Sequence, residues 1–192
     1  MANYCYLRMR VFPRRYCYAN SLLGFRGLWH PANPSVADIW KIRKKLDRVP
    51  AGTVLRLGGM TDCFQPAEKK NRATYELIRE LNRKRIGYLI VTKSAMVADD
   101  EYVGIYDLEL AYIQVTITAT DDDRALEYEK ASRISERIAA VEKQQHLGFD
   151  VAVRLSPFIP EYFDFDRLNS IRCNKIVVEF LRSISFIRKH FR

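Results

Sequence analysis

Residues 53–92 read TVLRLGGMTDCFQPAEKKNRATYELIRELNRKRIGYLIVT, and the order of signals within them decides the fold. Thr53–Gly59 is a short strand signal that ends in two glycines. Pro66 opens a helical segment over residues 67–85, in which Ala73, Leu77, Ile78 and Leu81 recur at helical spacing. Gly87–Thr92 is a nearly continuous apolar run, the pattern of a strand buried on both faces of a sheet. Strand, helix and strand in this order make a parallel pair joined by a crossover helix.

The same unit recurs on both sides. Upstream, Tyr4–Val11 alternates apolar and polar positions as a first strand, and Ser35 caps a helix over VADIWKIRKKLDRV. Trp40 and Ile39 are the positions expected to pack that helix on the sheet. Downstream, a short helix is expected over Asp99–Leu108, then a strand at Tyr112–Thr118 with Ile113, Val115 and Ile117 on one face. Asp121-Asp122-Asp123 reads as an N-terminal cap for a helix over Arg124–Ala131, where carboxylates complement the helix dipole. Ser132–Gly148 is an amphipathic helix closed by a glycine. Phe149–Leu155 and Lys175–Leu181 follow as strands, with a short helix near Asp164–Asn169 between them. About six strands alternate with helices, too few for a closed eight-fold barrel of ~250 residues. A partial barrel and a doubly wound sheet both satisfy the pattern.

Composition agrees with one such domain. The chain has 192 residues, 48% of them hydrophobic and 29% charged, which excludes a disordered or fibrous protein. No apolar run approaches the ~20 residues of a membrane helix. The first twenty residues are interrupted by arginines and lack a signal-peptide core. The expected location is cytoplasmic, where Cys5, Cys17, Cys63 and Cys173 serve as reduced thiols or cluster ligands. The formal net charge is +9, and residues 1–50 carry nearly all of the excess. A nucleic acid or another polyanion is the partner such a segment would attract, with Phe25, Trp29 and Trp40 among Arg26, Arg43, Lys44 and Lys45 to stack and clamp it. A solvated basic surface is the simpler reading.

In a parallel α/β sheet the site lies at the C-terminal strand ends. Those ends read Gly58-Gly59-Met60-Thr61-Asp62-Cys63, Thr92-Lys93-Ser94, Thr116-Ile117-Thr118 and Arg154-Leu155-Ser156-Pro157. Glycines let a ligand approach the backbone. Lysine and arginine suit a carboxylate or phosphate. The set points to a ligand site, although each residue alone is ordinary. His30, His146 and His190 share no metal-ligand spacing. No G-x-S-x-G, P-loop or G-x-G-x-x-G motif is present, which leaves hydrolase, NTPase and dinucleotide readings without support.

Several stretches carry a family resemblance: Tyr16-Cys17-Tyr18-Ala19-Asn20 with SLLGFRGLWHP, GGMTDCFQPAEKK at 58–70, VTKS at 91–94, QVTITAT at 114–120 and VRLSPFIP at 153–160. Together they resemble the radical S-adenosylmethionine superfamily, and within it the spore-photoproduct-lyase-like proteins. The D-x-x-Q-P-x-E pattern (Asp62, Gln65, Pro66, Glu68) beside T-K-S is its most specific part. The resemblance implies an α/β fold, a partial (β/α)6 barrel with a parallel sheet, as one domain over residues 1–192. It implies a [4Fe–4S] cluster and S-adenosylmethionine as cofactors, an electron donor as partner, and hydrogen abstraction by a 5′-deoxyadenosyl radical, a lyase-like enzyme activity. Cys17 matches the third cluster cysteine. Gly58, Gly59, Thr61 and Asp62 would line the S-adenosylmethionine site, with Lys93, Thr116 and Arg154 near its carboxylate or ribose.

The cluster loop departs from the family. Its C-x-x-x-C-x-x-C spacing, counted back from Cys17, falls on Arg10 and Arg14, and a guanidinium stays protonated and offers no acceptor to iron. Three explanations stand: an incorrect start over residues 1–15, a relative that has lost its cluster, or assembly from Cys5, Cys17 and Cys63. The abrupt end at Phe191-Arg192 also leaves room for a missing C-terminal extension. The rival function is a cluster-free barrel that binds nucleic acid through the basic residues 1–50.

Overall fold

A computed structural model of the protein describes residue 25 and residues 37–59 and 61–180. The expected strand at Tyr4–Val11, the residues Cys5, Arg10, Arg14 and Cys17, and the basic tail at Ile184–Arg192 lie outside these. In chain order the elements are α1 (Ile39–Leu46), β1 (Val54–Leu57), α2 (Glu68–Asn71), α3 (Ala73–Arg83), β2 (Gly87–Thr92), α4 (Asp100–Val103), β3 (Ala111–Ile117), α5 (Asp122–Leu126), α6 (Ile134–His146), β4 (Asp150–Leu155), α7 (Phe165–Asn169) and β5 (Ile176–Val178). Single turns of 3-10 helix at Ala95–Ala98 and Pro160–Tyr162 complete the list.

The strands form one open parallel sheet in the order β1-β2-β3-β4-β5. A doubly wound sheet needs a reversal of strand order at its switch point. Here each strand pairs with the next one in sequence, so of the two architectures the partial barrel is the one adopted. Its outward face carries Tyr88, Ile90, Ile113, Val115, Ile117, Val151, Val153 and Leu155, which form one core with Ile78 and Leu81 of α3 and Ile134 and Val141 of α6. Burying each such side chain contributes about 1.5–3 kcal/mol. The residues between them turn to the opposite, concave face.

Several boundaries differ from the sequence pattern. The helix expected over residues 67–85 breaks at Arg72, which takes a left-handed conformation with φ 50°. The break frees the first turn of α3, and the buried Glu68 carboxylate receives the backbone N–H groups of Thr74 and Tyr75, each at 2.9 Å. The helix expected at Asp99–Leu108 is only the single-turn α4, and a 3-10 turn at Ala95–Ala98 precedes it. The helix expected at Arg124–Ala131 is the shorter α5, capped by Asp121, whose carboxylate accepts from Arg124 N at 2.9 Å. The cap of α1 is Asp38 and not the expected Ser35, because the helix starts only at Ile39 and the Asp38 carboxylate accepts from Lys41 N at 3.1 Å. The last strand is only three residues long. Trp40 does not pack on the sheet: it is 73% exposed, with the Arg43 guanidinium 5.8 Å from its ring centre. Among the described residues, no helix is long and apolar enough to cross a membrane.

Candidate functional site

Strand register brings three of the expected residues into line. Thr116 of β3 lies opposite Arg154 of β4, and Thr92 of β2 lies opposite Val115. Lys93 is thus the next neighbour of Thr116, and alternation turns Lys93, Thr116 and Arg154 to the concave face. They form one row at the C-terminal rim of the sheet. Deeper on the same face, Val91, Gln114 and Ala152 and then Arg56, Leu89, Tyr112 and Asp150 make two further rows. A cavity of about 310 Å³ lies over the deeper rows, lined in part by Leu89, Tyr112, Gln114, Asp150 and Lys175.

The loop after β1 is bound to the end of β2. Asp62 uses both carboxylate oxygens there: Oδ1 accepts from Thr92 Oγ1 at 2.7 Å and Phe64 N at 2.9 Å, and Oδ2 accepts from Lys93 N at 2.7 Å. Gln65 Nε2 donates to the Asp62 carbonyl at 3.0 Å. Gly58 turns at φ 85° directly against Val91 O. A Cβ at Gly59 would meet only the Arg56 side chain, at 3.9 Å. Thr61 is half-buried beside them. The D-x-x-Q-P-x-E stretch is therefore a structural clasp: Asp62 fixes the loop to β2, and Glu68 fixes the start of α3 and accepts from Tyr102 Oη at 2.9 Å.

The cations of the rim are paired. Lys93 Nζ lies 2.5 Å from Glu129 Oε2. Glu129 Oε1 accepts from Thr118 Oγ1 at 2.7 Å and from Arg137 Nη2 at 2.7 Å. Arg137 is buried under the rim and also donates to the carbonyls of Ser132, at 2.8 Å, and Thr116, at 3.0 Å. Arg154 binds Glu179, which also accepts from Ser156 Oγ at 2.7 Å, and it donates to Gln114 Oε1 at 3.1 Å.

Sequence reasoning named Lys93, Thr116 and Arg154 but missed Glu129, Arg137 and Glu179. One signal was available: Arg137 falls on the inward stripe of α6 with Ile134 and Val141, where a charged residue needs a partner.

The thiols in view do not converge. Cys63 is packed against the core on the outward side, and burial, together with the nearby Asp62 charge, pushes its thiol well above the ordinary range. Cys173 donates to the carbonyls of Val151 and Lys175, near the opposite end of β4 from the rim. Among the described residues no group of three His, Cys, Asp or Glu is placed to hold a metal. Cys5 and Cys17, the other members of a cluster assembled from three dispersed thiols, lie outside the described residues.

No family profile matches the chain, and no curated protein does. Solved structures do. Spore photoproduct lyase complexed with dinucleoside spore photoproduct is similar at a TM-score of 0.61 and 15% identity, over 92% of this chain and 56% of that one. A tyrosine-to-phenylalanine variant of spore photoproduct lyase gives a TM-score of 0.62 at 15% identity, over 93% and 57%. The chain spans little more than half the length of these structures. At such identity the likeness establishes the fold alone, an open parallel partial barrel.

Proposed function

We propose that the rim of the sheet binds S-adenosylmethionine and that the chain is a radical S-adenosylmethionine-like protein. The observation that carries this reading is the single row of Lys93, Thr116 and Arg154 across β2, β3 and β4. A lysine, a hydroxyl and an arginine on one concave face supply donors for a carboxylate and for ribose oxygens. Gly59 and Thr61, next to the clasp, would let the ligand approach the backbone. Asp62 shapes this loop through its bonds to β2, and Gly58 through its turn against Val91.

The donor set for a [4Fe–4S] cluster does not fit the chain as written. Three thiolates are required, and the loop around Cys17 offers Arg10 and Arg14 at the other two positions. Neither Cys63 nor Cys173 makes up the number. We therefore assign no chemical step to a cluster.

Two measurements test the reading. Isothermal calorimetry should detect S-adenosylmethionine binding, and Lys93→Met should weaken it roughly tenfold, the loss expected for one charge-assisted hydrogen bond. Absence of binding to the unaltered chain would overturn the assignment. Anaerobic reconstitution should give far less than the four irons of a complete cluster, and Arg10→Cys with Arg14→Cys should raise the iron content. Full iron incorporation by the unaltered chain would show that other ligands complete the set.

A further inference from the structure

We propose that Glu129 and Arg137 are positioning residues for Lys93, fixing its ammonium group where the carboxylate of a ligand meets the rim. The proposal rests on the reading of the rim as an S-adenosylmethionine site. A lysine has a flexible four-carbon stem and loses considerable rotamer freedom when held. Lys93 is nevertheless held, by the Glu129 carboxylate at 2.5 Å. Glu129 cannot follow the lysine outward, because its other oxygen is bound by Thr118 Oγ1 and Arg137 Nη2. Arg137 is anchored in turn on two backbone carbonyls, Ser132 and Thr116.

The three side chains thus run from the inward face of α6 to the rim. Arg137 and Glu129 are each 1% exposed and Lys93 is 12% exposed, so only the last member reaches a ligand. The nearest other carboxylate of the clasp, Asp62, is occupied by Phe64 N, Thr92 Oγ1 and Lys93 N. It fixes the lysine backbone, while Glu129 fixes the head group. Apolar side chains of similar volume would hold α6 on the sheet at least as well as a buried ion pair. The charges are accounted for by what they do to Lys93. Thr116 belongs to the same arrangement twice, through its carbonyl on Arg137 and through its place beside Lys93 in the rim row.

The test uses Glu129→Gln alone and together with Arg137→Met, which removes the buried cation left unpaired by the first change. Amine acylation followed by mass spectrometry reads the availability of each lysine, with Lys84, held by Asp47 at 2.5 Å, as internal reference. Calorimetry reads S-adenosylmethionine affinity. In both variants Lys93 should react roughly tenfold faster relative to Lys84, since burial without a counter-charge favours the neutral amine. Affinity should fall roughly tenfold. The double variant should regain thermal stability lost by the single one, without regaining slow acylation or affinity, and a purely structural role would restore all three. Unchanged Lys93 reactivity in the folded double variant overturns the proposal, as does faster reactivity with wild-type affinity. If the unaltered chain binds no S-adenosylmethionine while Lys93 reactivity rises in the variants, the reading of the rim fails and the positioning of Lys93 stands.

Discussion

At Gly58 the backbone turns with a φ of 85°, and a Cβ there would sit 2.1 Å from the carbonyl oxygen of Val91. The left-handed turn and the close approach both demand glycine. Gly58→Ala should cost about 3 kcal/mol or more in urea denaturation, or prevent folding, because backbone rather than a flexible side chain must give way. The neighbour that demands glycine here is the end of β2 at Val91. Cys63 makes a second test at the level of one side chain. Burial holds its thiol above the ordinary value of 9.0, so its contribution to stability is complete below that pH and is lost as pH rises beyond it. Tyr88, raised by burial from 10.0 to about 12, adds the same trend only at higher pH. Between pH 9 and 10 the unfolding free energy should therefore fall, by at most about 1.4 kcal/mol per pH unit from this one group. Cys63→Ala should flatten that interval, and an unchanged slope would assign the decline to other residues.

Helix α3 shows how an element can be legible while its start is not. The spacing of Leu77, Ile78 and Leu81 declares a helix, and the structure contains one at Ala73–Arg83. The break at Arg72 carries no proline or glycine to announce it. It depends on Glu68, which reaches across the turn to Thr74 N, Tyr75 N and Tyr102 Oη, and the last of these comes from a different unit of the fold. The phenol ring also packs edge-on against Phe64, with centroids 4.8 Å apart. Glu68→Gln replaces one acceptor oxygen by a donor amide facing these groups. It should lower stability by about 2–4 kcal/mol in chemical denaturation. A loss below 0.5 kcal/mol would mean that the clasp contributes little. The same long-range dependence hid Glu129: nothing within several residues of it in sequence shows that it meets Lys93 from β2 and Arg137 from α6.

For the molecule as a whole, the alternation of apolar runs with helical spacing was enough to read a parallel sheet, and the row of Lys93, Thr116 and Arg154 followed from strand ends alone. The ion pairs that hold two of these residues did not, because they join units far apart in the chain. Burial grades the sheet from centre to edges: β2, β3 and β4 are largely buried, whereas Val54 of β1 and Ile176 and Val178 of β5 are exposed. Amide hydrogen exchange should therefore be slowest in β3 and its two neighbours and faster in β1 and β5. Protection of β5 equal to that of β3 would contradict this ordering. The strand order has a consequence for the chain as it is made. Val54 pairs with Gly87, Tyr88 with Ala111, Tyr112 with Asp150 and Val153 with Ile176, so each described strand after β1 finds its first partner already synthesised. During translation, at about 5–20 residues per second, every newly emerged unit can dock on the one before it, and no described strand has to wait for a partner from beyond its immediate successor.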